Sequence, residues 1–204
     1  MRRQIKKSDS LILKNNWKYE EGKDNSKIGE ALLGEQNGIC AYTETYLGGR
    51  YDSKDIEHFN PTLKSTGVDG YDNWFLVNHK LNGEKGSIPR WLKHQDILHP
   101  TAPDFEERVI YDDGTYIWQN GDKEAEHLIK YLELDDKKFV EERKLYIKNR
   151  KKNIEQNKQT PEEYFQNLLQ DEPERLKHIR AIEEEFEIKI HLKVPMPSKT
   201  EEFI

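Results

Sequence analysis

The stretch "DIEHFNP", Asp55 to Pro61, places two carboxylates, a histidine and a proline within one short run. Desolvating a carboxylate is expensive, so a buried strand would not carry Asp55 and Glu57 without something to hold them. Three further features follow in order: Asn73, Asn82, and Lys85 three residues later. A strand–loop–strand–turn of this spacing can bring Glu57, His58 and Asn82 to one place. Glu57 and Asn82 offer the hard oxygen ligands that Mg²⁺ or Mn²⁺ takes. Two protein ligands leave about four octahedral positions for water and phosphate oxygens. His58 is then a base for water near neutral pH, because an unperturbed imidazole titrates around pH 6.5. Asn73 is placed to orient the imidazole, and Lys85 to hold phosphate as a point charge. Together these are the parts for metal-assisted phosphodiester hydrolysis. Asp55 is an alternative to Glu57 as ligand, since i and i+2 share a strand face. Glu57 and His58 fall on opposite faces of an ideal strand, so the reading requires a bulge or a strand end there.

The elements that must position these residues are short. "KDIEHF" and "NWFLV" read as strands joined by a loop rich in turn residues. Ahead of them, "SKIGEALLGEQNG" has helical spacing and a glycine stop at Gly38. "LILKNNW" is the one apolar segment of a polar first 25 residues and reads as a short helix or an arm that docks elsewhere. "LNGEKGSIPRW" suits only a turn or two of helix. "RVIYDDGTYIWQ" is a hairpin signal around Asp113-Gly114. Helices follow in "GDKEAEHLIKYL", in "TPEEYFQNLL" with Thr160, Pro161 and Glu163 as capping box, and in "EPERLKHIRAIEEEF". The end, "IKIHLKVPMPSKTEEFI", reads as a strand and then a tail. The expected fold is α+β: an N-terminal arm over 1–25, a compact centre over 26–99, and a hairpin plus helical region over 100–204 that together make one unit.

Composition sets the outer bounds. The chain has 204 residues, 34% hydrophobic and 35% charged, with a formal net charge of −6. The apolar share is low for a free-standing globule, which suits a chain whose surface a partner covers. Global charge does not signal nucleic-acid binding, so any such surface must be local. Lys54, Lys64, Lys80, Arg90 and Lys93 gather around the motif and suit backbone phosphates. One cysteine, Cys40, excludes an intrachain disulfide framework and points to a reducing, cytoplasmic setting. No apolar run reaches the roughly 18 residues of a membrane span.

The segments "IEHFNP", "DNWFLV" and "LNGEKG" resemble, in order and spacing, the acid-His, Asn and Asn-x-x-Lys elements of HNH nucleases, the ββα-metal class. With "GICAYTE", "DILHP", "YDDGTY" and "AEHLIKYLELDDKKFVEER", the chain is similar to the HNH proteins of Septu-type and retron-associated phage defence over most of residues 30 to 143. The resemblance implies a ββα-metal centre embedded in a mostly helical chain. It implies that Glu57 and Asn82 are metal ligands, that His58 is the general base, and that Asn73 positions it. It implies Mg²⁺ or Mn²⁺ as cofactor, DNA as substrate, and an ABC or SMC-like ATPase subunit as partner in a homo- or hetero-oligomeric assembly. Such relatives usually carry two Cys-x-x-Cys pairs for a structural zinc. Here the first reads Cys40-Ala41-Tyr42-Thr43 and the second Asn78-His79-Lys80-Leu81, so three of four ligands are missing. A tetrahedral site needs four good donors, so no structural zinc is expected. Packing by Tyr42, Leu81 and Trp91 must replace it. His99-Pro100 reads as a structural turn, and Cys40 as a small buried hydrophobe. Two alternatives stand beside the DNA nuclease: a decayed HNH-fold scaffold that binds a partner, and an RNA-directed nuclease such as a tRNA cleaver.

Overall fold

A computed structural model describes residues 1–49, 53–80, 82 and 88–192. Among these are eight α-helices and two antiparallel two-stranded sheets, a mixed α+β architecture that is mostly helical. No helix among them is long and apolar enough to cross a membrane.

The chain opens with a short helix, α1 (Leu11–Lys14), started by the Ser10 hydroxyl accepting from the Ile12 amide. Helix α2 (Ser26–Glu35) buries Ile28, Leu32 and Leu33 on one face. It ends where Asn37 and Gly38 take positive φ, the left-handed exit expected at Gly38. Strands β1 (Lys54–His58) and β2 (Trp74–Asn78) pair antiparallel, with Asp55 opposite Val77, Glu57 opposite Phe75 and His58 opposite Trp74. Helix α2 lies against this sheet, its Gly29 facing Ile56 and Leu76. Helix α3 (Ile88–Lys93) and a short turn, α4 (Phe105–Arg108), lead to the hairpin of β3 (Val109–Asp112) and β4 (Thr115–Trp118). Asp113 and Gly114 both have positive φ there, as the two-residue turn matching the strand twist demands.

The helical half follows. In α5 (Lys123–Tyr131), Asp122 caps the Ala125 amide and is itself gripped by Arg108 at 2.7 Å. Helix α6 (Lys137–Asn157) is long and polar, burying only Arg143, Tyr146 and Ile147. Helix α7 (Pro161–Asp171) starts with the capping box read from the sequence: the Thr160 hydroxyl accepts from the Glu163 amide, and the Glu163 carboxylate accepts from the Thr160 amide. The expected last helix is interrupted. Residues Pro173–Arg175 form a single 3₁₀ turn, and α8 (Ile179–Phe186) begins only after His178, whose φ of 54° breaks the helical path. "IKIHLK" forms no strand over its described residues. Ile188 and Ile190 are buried, but the Ile190 amide donates to the Glu183 side chain instead of a neighbouring strand.

Two apolar clusters hold these elements. The first joins Leu32, Trp74, Phe75 and Leu76 to Leu128, Ile129 and Tyr131, and it takes in Met1 and Ile12. The N-terminal segment both forms a short helix and docks, as read: the Gln4 amide also donates to the Pro100 carbonyl, and Lys6 reaches the Trp74 carbonyl. The second cluster joins Tyr146, Ile147, Phe165, Leu168 and Ile182, and Tyr111 packs against both clusters.

Candidate functional site

Strand β1 has β2 on one edge and no strand of the described residues on the other. Along it runs a cleft of about 840 Å³, lined by Asp55, Glu57, His58 and Asn82 and by Lys54 and Lys64. The polar residues singled out in "DIEHFNP" thus share one concavity with Asn82. The ladder runs unbroken through the Glu57–Phe75 and His58–Trp74 pairs, so no bulge separates the acid from the histidine. His58 is instead the last residue of β1. Glu57 and His58 leave the backbone on opposite faces, and both line the cleft.

His58 is 7% exposed and packs edge-on against the Tyr19 ring at 4.5 Å. Its Nε2 is buried, 3.1 Å from Asp69 Oδ2, at ion-pair distance but outside good hydrogen-bond alignment. Nδ1 is then the ring nitrogen left to the cleft. Burial lowers the His58 pKa, and the Asp69 carboxylate opposes that shift without cancelling it. The imidazole is therefore neutral at neutral pH, the form a base requires.

Asp69 is the residue that sequence reasoning missed. Its side chain is 5% exposed, and its Oδ1 accepts from Asn73 Nδ2 and from Trp74 Nε1, each at 2.9 Å. "STGVDGYD" advertises only turn residues, and eleven positions separate Asp69 from His58 in sequence. Nothing in the local pattern marks this carboxylate as a histidine partner. Asn73 is correspondingly reassigned. It sits at the end of a 3₁₀ turn just before β2, and its side chain does not orient the imidazole directly. It accepts from the Asn60 amide at 2.7 Å, donates to the Asn60 carbonyl at 3.1 Å, and holds Asp69. Its effect on His58 passes through that carboxylate.

Asn82 donates to Asp55 Oδ2 at 2.9 Å, and His79 Nδ1 lies 2.9 Å from the same oxygen. The carboxylate beside Asn82 is therefore Asp55, while Glu57, on the same strand face, is 5% exposed. Both acids border the cleft with Asn82. The donor set fits a hard divalent ion: one or two carboxylates and an amide oxygen, with room for water. No group of three or more His, Cys, Asp or Glu among the described residues is placed to hold a metal ion by itself.

The basic residues separate. Lys54 and Lys64 border the cleft, with Lys64 also 2.7 Å from Glu21. Arg90 pairs with Glu133 at 2.8 Å, Lys93 is exposed on α3, and Lys80 lines a different cavity. Lys85 and Leu81 lie outside the described residues. The Cys40–Thr43 segment meets the end of β2: the Asn78 amide lies 3.4 Å from Cys40 Sγ, and the Ala41 amide donates to the Leu76 carbonyl. Cys40 is fully buried, Tyr42 packs on Phe75, and Trp91 packs on Phe59 and Tyr131. His99 forms the expected turn, its carbonyl accepting from the Ala102 amide.

No family model matches the chain, and neither a curated protein nor a solved structure matches it.

Proposed function

We propose that this protein is a metal-dependent endonuclease of the HNH, ββα-metal kind, hydrolysing nucleic-acid phosphodiesters, with DNA as the first substrate. One observation carries the reading: a buried His58–Asp69 pair closes β1 at a cleft whose lining also holds Asp55, Glu57 and Asn82. With Nε2 directed at Asp69, His58 keeps Nδ1 for a cleft water and removes its proton as the water attacks phosphorus. Asp69 stabilises the imidazolium that results, because an opposite charge favours the charged form. Asn82 with Asp55 or Glu57 would hold the divalent ion. When bound, that ion supplies charge neutralisation on the phosphate and the leaving oxygen. Lys54 and Lys64 meet neighbouring backbone phosphates as point charges. Carried over from the resemblance, the biological setting is antiphage defence with an ABC or SMC-like ATPase that restrains or delivers the nuclease.

The test is cleavage of supercoiled plasmid and of a labelled RNA by the full chain with Mg²⁺, Mn²⁺ or EDTA, with and without the candidate ATPase. Metal-dependent nicking that His58→Ala removes with the fold intact is the expected result. Cleavage of RNA alone moves the substrate class. Partner binding without cleavage of either supports the scaffold alternative, and an undiminished His58→Ala rejects the assignment of the base.

A further inference from the structure

A second cavity lies apart from the cleft, where α6 meets the hairpin and the Tyr42–Thr45 turn. Its volume is about 220 Å³, and its walls include Tyr116, Leu132, Leu134 and Phe139. Arg143 also lines it and is only 5% exposed. The guanidinium stacks over the Tyr116 ring at 4.8 Å and donates through one terminal nitrogen to the Leu134 carbonyl. Its Nε has no hydrogen-bond partner, and no carboxylate of the described residues lies within ion-pair distance of the group. A buried charge ordinarily has a counter-charge, because desolvation is otherwise uncompensated.

The two carboxylates of the cavity wall are committed elsewhere. Glu44 accepts from the Arg2 amide at 2.8 Å and the Arg180 amide at 3.1 Å. Glu142 lies 3.5 Å from Lys177 Nζ and 3.8 Å from His178 Nε2. Acceptors are thus occupied while a cationic donor is not, and the rest of the wall joins these aromatic and aliphatic side chains to the polar Thr43, Thr45, Asn78, Lys80 and His178. We propose that this cavity is a binding site for a small organic anion, with its acidic head on Arg143 and a flat apolar body between Tyr116 and Phe139. The site is independent of the hydrolytic reading, since none of its residues borders the β1 cleft.

Benzoate is the probe, with benzamide as its uncharged counterpart and inorganic phosphate as a head without a body. Thermal unfolding and titration calorimetry are run on the full chain. Benzoate should raise the melting temperature saturably, as binding to the folded state alone requires. Benzamide and phosphate should bind at least tenfold more weakly. Arg143→Met should lose benzoate binding by a similar factor. Should Arg143→Met fail to fold, Phe139→Trp narrows the cavity with the guanidinium retained, and it should weaken benzoate too. No saturable benzoate effect on the wild type overturns the proposal. So does equal binding of benzamide, preferential binding of phosphate, or benzoate binding unchanged in the folded variants.

Discussion

At the scale of single residues, the pair that matters is His58 and Asp69, and it makes two predictions. The first concerns acid. His58 has its pKa lowered by burial. A histidine held neutral by the fold contributes stability that is complete above its ordinary value near 6.5 and is lost as pH falls through the depressed value. Urea midpoints measured in small steps below pH 6.5 should therefore fall for the wild type more steeply than for His58→Gln. Equal slopes would remove the histidine from the acid response. The second prediction concerns Asp69→Asn. If His58 is the base, cleavage should drop roughly 10- to 100-fold, as for carboxylates that orient metal-bound histidines. Asp69 raises the His58 pKa against burial, so the acid limb of kcat/KM should move to lower pH in this variant. A merely structural loss would lower the rate and leave the limb in place.

At the scale of elements, the sequence was most legible where chemistry is local. Asp113-Gly114 announced the hairpin because both positions need positive φ, and Thr160 with Glu163 announced a helix start because each satisfies the other's amide. The same locality makes Gly114→Ala testable. At φ of +82°, an added Cβ would meet Lys144 Cγ at 2.7 Å and the Val140 carbonyl at 3.3 Å. The variant should lose about 1–2 kcal/mol in denaturant unfolding from the left-handed backbone alone, whereas an unchanged midpoint would mean the turn relaxes. Illegible features were those set by distant contacts. The left-handed His178 splits a run that reads as one helix, and Ile188 and Ile190 look like a strand because burial imitates alternation. The acceptor of the Ile190 amide, Glu183, lies on α8. The candidate site divides along the same line: His58, Glu57 and Asn82 were visible by type and spacing, while Asp69 became visible only when the loop folded back on β1.

At the scale of the whole molecule, several polar contacts tie the α6–α8 cluster to the rest of the chain, and Glu44 makes one of them through the Arg180 amide. Its carboxylate, on a residue 3% exposed, receives the Arg2 amide from the N-terminal segment and the Arg180 amide from α8. Glu44→Gln turns one acceptor into a donor facing a donor. Leaving a buried amide unsatisfied costs about 1–3 kcal/mol. Unfolding followed by both tryptophan fluorescence and circular dichroism should show that loss as one coincident transition. Two separated transitions would mean that the clusters unfold independently and that this tie does not couple them.

The neck formed by Asn73 has a practical consequence. One amide side chain closes the connection between β1 and β2 by gripping Asn60, and it holds Asp69 at the same time. Beyond that clasp, Ser65, Thr66 and Gly67 are exposed, and Gly67 faces open space. Closure entropy grows slowly with length, about 0.6 kcal/mol for each doubling. A fluorophore-bearing tag spliced between Ser65 and Thr66, outside the turn in which the Asp69 amide donates to the Thr66 carbonyl, therefore lengthens a loop whose working geometry is already fixed at its base, giving a reporter position beside the cleft.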